Sequence, residues 1–182
     1  ETQVAVDDLY RPYRPKRRTR ATIAKEKGLE PLANLILLQK MTETPLEEAK
    51  KYINPEKEVN TAEDALNGAK DILAESVSDN ADFRTHIREL TMKHGQLLSA
   101  AKDPEAESVY EMYYEFSESL SKLAGHRILA INRGEKEKFL TVKIDAPVDR
   151  ILSYLDRKLI TAPSAPTAAV LHEVTEDAYN RL

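Results

Sequence analysis

LYRPYRPKRRTRATIAKEKG, residues 9–28, joins three kinds of sequence in a fixed order: a tyrosine–proline segment, a run of positive charge and a capped helix. Pro12 and Pro15 fix their own φ and push Arg11 and Arg14 away from helical ψ, so 10–16 is expected to run extended. Six of the ten residues 11–20 are Arg or Lys, and no acid interrupts them. Thr19 suits an N-cap and Gly28 the position just past a helix end, which predicts a helix over 19–27. A stiff basic strap therefore feeds a short helix whose first N–H groups add partial positive charge beside Lys16, Arg17 and Arg18. That arrangement suits phosphate.

Outward from this stretch the chain reads mainly as helices. Residues 31–40 carry Leu32, Leu35, Ile36 and Leu38 on a broad apolar face. Thr44-Pro45-Leu46-Glu47 is a capping box with proline at the first helical position, predicting a helix to about residue 52 that Asn54-Pro55 ends. The longest helix is expected over 61–80, where Leu66, Ala69, Ile72, Leu73 and Val77 recur at helical spacing and Gly68 is the weak residue. Helices are further expected over 82–94, over the aromatic-rich 104–116, over 126–133 with Gly134 as a left-handed cap, over 148–160 and over 167–182. Residues 1–8 read as the tail of another helix. Residues 139–144 form the best strand, with 96–101 (itself open between strand and irregular link) or a part of a longer parent chain as its partner. The fold class is mainly α: a multi-helix assembly with at most a small two-stranded β element, divided into 1–102 and 103–182.

Composition bounds the function. Among 182 residues, 32% are charged, five are glycine and none is cysteine, which suits a helical chain and removes disulfide and thiolate chemistry. The formal charge of −4 hides a division, because the chain without the six basic residues of 11–20 carries −10. Attraction for polyanions is thus concentrated at one end. No apolar run approaches the ~18 residues of a membrane helix, so a soluble, cytoplasmic chain is expected.

Three blocks carry a resemblance to a known family. Residues 9–19 with Ala24 and Gly28-Leu29-Glu30-Pro31-Leu32-Ala33 resemble the LYxPYKPKRRT…A…GLxPLA signature of Tex, bacterial transcription accessory proteins related to a eukaryotic elongation factor. His126-Arg127-Ile128-Leu129-Ala130-Ile131-Asn132-Arg133-Gly134-Glu135 is similar to the family's HRxLAxxRGE, and 173–182 to its VxEDxYxRL. The resemblance implies a helical region, including a helix-turn-helix-like subdomain, cut from a longer parent. In such a parent a ribonuclease-H-type domain, a helix-hairpin-helix region and an RNA-binding OB-fold would follow.

The candidate interface is the strap: Arg11, Arg14, Lys16, Arg17, Arg18 and Arg20 as forks on nucleic-acid phosphates, with Tyr13 stacking on a base. The competing reading is a solvated segment that pairs with nearby acids. The pair of helices at 19–27 and 31–40 offers a groove-reading role only through Asn34, Gln39 and Lys40, so the second helix reads rather as core. Tyr110, Tyr113 and Tyr114 read as core edge in preference to a stacking surface. His86, His94, His126 and His172 show no metal-ligand spacing, and His126 reads as capping or packing. No phosphate loop or nucleophile motif occurs, so no cofactor, metal site or catalytic residue is expected. The expected function is a helical scaffold of a Tex-like protein with an accessory, sequence-nonspecific contact to RNA or DNA. The alternative is a protein-interaction module docking on the rest of its parent or on RNA polymerase and other transcription machinery.

Overall fold

The computed structural model describes residues 18–182. The expected helical tail at 1–8, the extended strap at 10–16 and five of the proposed contact residues lie outside them. The described chain divides into two compact units, one made of 18–84 and 152–182 and the other of Thr85–Ile151.

The first unit is helical. α1 (Arg20–Glu26) begins at Thr19, whose hydroxyl accepts from Thr22 N–H, and ends in Gly28 at φ 78°. There Leu29 N–H donates to the Ala24 carbonyl at 3.2 Å and Gly28 N–H to the Lys25 carbonyl at 3.0 Å, the paired bonds of a Schellman end. This turn drops Leu29 into the core and starts α2 (Glu30–Leu38), which buries Leu32, Ala33 and Ile36. Leu35 and Leu38, expected on the same apolar face, are exposed. α3 (Pro45–Ala49) is capped as read, Thr44 accepting from Glu47 N–H at 3.3 Å, and continues as a 3-10 turn to Tyr52.

α4 (Ala62–Asp79) is the long helix the periodicity predicts. Thr61 caps it, and Glu63 and Asp64 place negative charge in its first turn. Gly68 has a packing reason for interrupting a good helix. A Cβ there would collide with Leu29 Cδ1 and come within 3.3 Å of Ala24 Cβ, so the missing side chain lets the α1–α2 turn lie directly on α4. Against α4 also packs α8 (Thr167–Asn180), through Leu171, Val174 and Ala178. Arg181, the arginine of the third block, secures this pairing: its Nη2 lies 2.8 Å from both Asp71 and Asp177. The two carboxylates raise its pKa against the opposing effect of burial, so the guanidinium stays charged.

The second unit holds a three-stranded antiparallel sheet in the order β2-β1-β3, from β1 (Gln96–Ala101), β2 (Glu115–Ser119) and β3 (Leu140–Asp145). Of the two readings open for 96–101, the strand is correct, and it pairs with β3 from Gln96↔Asp145 to Ala101↔Leu140. α5 (Ala81–His94) leads into β1, and α7 (Val148–Leu159) follows β3. The boundary between the units falls inside each of these helices. α6 (Gly125–Lys136) packs Ile131 against Leu97, Tyr110, Tyr113 and Leu140.

The mainly α class is as expected, but two local readings are corrected. The helix over 104–116 does not form: a 3-10 turn at Glu111–Tyr113 leads into β2, which gives the sheet its third strand. Tyr110 and Tyr113 turn into the core, whereas Val109 and Met112 point outward at 84% and 63% exposure, so the helical period had no single buried face. Pairing of β2 with the free edge of β1, Phe116 opposite Ser99, outweighs local helix preference. Gly134, in turn, does not end α6. It is buried within the last turns, and the left-handed position falls on Lys138 at φ 69°. Phe139 N–H then donates to the Gly134 carbonyl at 2.9 Å and Lys138 N–H to Glu135 at 3.1 Å.

Candidate nucleic-acid interface

Two of the seven proposed contact residues, Arg18 and Arg20, are described; Arg11, Tyr13, Arg14, Lys16 and Arg17 lie outside the described residues. Arg18 sits just before the cap of α1 and makes a two-pronged contact with Glu26, Nη1 to Oε1 and Nη2 to Oε2 both at 2.8 Å. Arg20 Nε lies 3.9 Å from Asp71, the carboxylate that also receives Arg181. The Arg18–Glu26 side chains are 65% and 52% exposed, and such pairs contribute roughly 0–1 kcal/mol. A phosphate could replace Glu26 at little cost. Sequence reasoning had no signal for Glu26 or Asp71 as partners, because Arg18 precedes the helix and Asp71 is 51 positions from Arg20.

The start of α1 itself is already occupied by the protein's own charge. Thr19 Oγ1 donates to Glu75 Oε2 at 2.6 Å while accepting from Thr22 N–H at 3.1 Å. A carboxylate of α4 therefore stands where the sequence suggested an anion, and the helix N-terminus adds little attraction for an outside phosphate. Behind it, a groove of about 280 Å³ between α1 and α4 is lined by Arg20, Lys27, Leu29, Asp64, Gly68 and Asp71, a mixed set of charges.

The polar residues suggested as groove readers, Asn34 on α2 and Gln39 and Lys40 just beyond its end, separate. Asn34 and Lys40 are exposed, but Gln39 is 7% exposed and committed inward. Its Oε1 accepts from the N–H groups of Thr161 (2.8 Å) and Ala162 (3.1 Å), and its Nε2 donates to the Leu159 carbonyl at 2.8 Å. Gln39 thus closes the end of α7 and is structural. The tyrosines are core as read: Tyr110 and Tyr113 are buried, and Tyr110 OH donates to Glu137 at 2.6 Å, which raises its pKa. His126, read as capping or packing, is exposed at the start of α6 and provides no side-chain cap. Among the described residues no group of His, Cys, Asp and Glu is arranged to hold a metal ion, and no helix is long and apolar enough to cross a membrane.

His172 is tied to acids on both ring nitrogens: Nδ1 lies 2.7 Å from Asp156 on α7 and Nε2 2.8 Å from Glu176 on α8. Asp156 is further held by the buried Thr175 hydroxyl at 2.7 Å. The hydrogen bond to Asp156 is the main cause of a raised His172 pKa. Its folded pKa therefore lies above the unfolded value near 6.5, and the stabilisation is complete below that pH and lost as pH rises through the folded value. With the side chain 48% exposed, about 0.5 kcal/mol is expected after screening. Melting curves of wild type and His172→Gln should differ more at pH 5.5–6 than at pH 8.5, and a constant difference would refute the charged pair.

Comparison with known proteins accords with this architecture. A family model described as Tex central region-like matches residues 40–173. The chain is 49% identical to Uncharacterized protein YdcI of Bacillus subtilis, covering 97% of this chain and 25% of that protein. It is 40% identical to Protein tex of Bordetella pertussis (96% of this chain, 24% of that one). It is 32% identical to human S1 RNA-binding domain-containing protein 1 (94% and 18%). The chain thus spans about a quarter or less of the length of these relatives.

Proposed function

Because this chain belongs to the Tex family of transcription accessory proteins, we propose that it serves as a helical scaffold which adds a sequence-nonspecific contact to the phosphate backbone of RNA or DNA. The contact residues are Arg11, Arg14, Lys16, Arg17, Arg18 and Arg20, and Tyr13 supplies a ring to stack on a base. The observation that carries this reading is the acid-free basic run of 11–20 in a chain that is otherwise acidic. The exposure of the Arg18–Glu26 pair supports it, since an exposed pair exchanges readily. A relative named for an S1 RNA-binding domain places RNA among the polyanions to test first. In this reading the region works in the cytoplasm within a longer parent and performs no catalysis.

A second reading has its own observation. Arg18 and Arg20 both face acids of their own unit, which suits a strap that pairs within the protein or docks on the parent chain or the transcription machinery. Fluorescence anisotropy with single-stranded RNA and duplex DNA at two salt concentrations separates the two. Backbone contact predicts affinity that falls with salt. An Arg17→Ala/Arg18→Ala variant that keeps its helical circular dichroism should then lose roughly two units of the log–log salt slope. Absence of binding at low salt would leave the docking reading.

A further inference from the structure

α6 turns only a narrow stripe inward. At 100° per residue, Arg127, Ala130, Ile131 and Gly134 fall on one side, and their burial matches: Ile131 and Gly134 are buried and Arg127 and Ala130 half-buried. Arg127 is held there, its guanidinium 5.6 Å from the Phe116 ring centre. The opposite ridge carries Leu129, Asn132, Arg133 and Lys136, all exposed, with Ile128 on its flank. Leu129 is 72% and Ile128 40% exposed. Arg133 and Lys136 make no ion pair among the described residues, although acids abound in this chain.

A single exposed leucine needs no explanation. Here, however, Leu129 and two uncommitted cations share one face of a helix whose inner face is fully used, and Ile128 extends the apolar surface at its edge. We propose that the outer face of α6 is a docking surface for an acidic amphipathic helix of a protein partner. Charge complementarity selects the acidic partner, through Arg133 and Lys136. The aliphatic centre selects protein over nucleic acid, because Leu129 and Ile128 offer apolar surface that a partner helix buries and a phosphate backbone does not, and no aromatic ring stands on this ridge for bases to stack on. The partner helix offers leucine-type residues at i, i+3 or i+4 and i+7 around Leu129, with Glu or Asp beside them. A contact of this size is transient, with a Kd on the order of 100 µM.

The test uses the whole chain and a fluorescein-labelled synthetic helix of about 16 residues carrying that leucine spacing flanked by glutamates. Wild type should bind saturably, with amide shifts confined to Ile128, Leu129, Asn132, Arg133, Lys136 and their neighbours. Leu129→Glu should weaken binding at least about tenfold and Arg133→Glu/Lys136→Glu at least about fivefold, both variants retaining wild-type circular dichroism because the positions are exposed. The proposal is overturned by no saturable binding up to about 1 mM, by equal binding of the variants, or by equal binding of a scrambled peptide of the same composition. It is overturned too if a uridine 12-mer RNA shifts the same amides and displaces the peptide.

Discussion

Gln39→Leu should destabilise the chain by about 3 kcal/mol, although it keeps the volume and adds apolar surface. The reason lies in what Gln39 holds. Two amide N–H groups, those of Thr161 and Ala162, and the Leu159 carbonyl at the end of α7 end on this one side chain. Leucine leaves all three without that partner in a site where Gln39 is 7% exposed, and each orphaned group costs roughly 1–3 kcal/mol. For a chain of this length the melting temperature should fall by roughly 6–12 °C. Gln39→Glu provides the control. A carboxylate still accepts from both N–H groups but repels the Leu159 carbonyl, so this variant should be less damaged than Gln39→Leu and should recover as pH falls and the acid can donate. A leucine variant that melts like wild type would show that these bonds contribute nothing net.

Gly134→Ala should also destabilise, by about 2 kcal/mol, despite alanine's advantage of up to about 1 kcal/mol within a helix. An added Cβ would stand 2.5 Å from Leu140 Cδ1, 2.9 Å from Leu140 Cγ and 3.1 Å from Tyr110 Cδ1. Leu140 is fully buried and Tyr110 is 5% exposed, so neither can move aside without repacking the cluster with Tyr113 and Ile131. The mechanism is testable by a double-mutant cycle. Leu140→Ala alone should cost about 2–5 kcal/mol, and with Gly134→Ala the combined loss should be well below the sum, since the smaller residue admits the new methyl. Strict additivity, or a stabilised Gly134→Ala, would place the role of Gly134 elsewhere.

Gly134 also shows how a sequence motif can be located correctly and explained wrongly. Arg-Gly-Glu after an apolar helix has the look of a left-handed end, and only the position of β3 reveals that this glycine is required for close approach. The true end is made by Lys138, a residue type with no preference for positive φ. The structural role of Gln39 was invisible for a similar reason: its partners lie more than a hundred positions away, beyond any local pattern. Of the interface, the basic run was legible as a run, but the acids that meet its end were not: Glu26 pairs with Arg18, which precedes the helix, and Asp71 and Glu75 reach Arg20 and Thr19 from a different helix, so no sequence period links them.

What the sequence by itself determined are the features governed by a few adjacent residues. Thr19 and Thr44 cap helices where read, because a hydroxyl reaches N–H groups two or three residues on. Gly28 takes the left-handed turn, because that φ costs glycine nothing. The long apolar period of α4 ensures a buried helix wherever it packs. The tertiary structure alone decided that 111–119 becomes a turn and a strand, that Gly68 and Gly134 serve close packing, and that Gln39 and Arg181 join distant segments. Each of these depends on which surfaces meet, and the free energy of burying them exceeds the fraction of a kilocalorie per residue that separates local preferences.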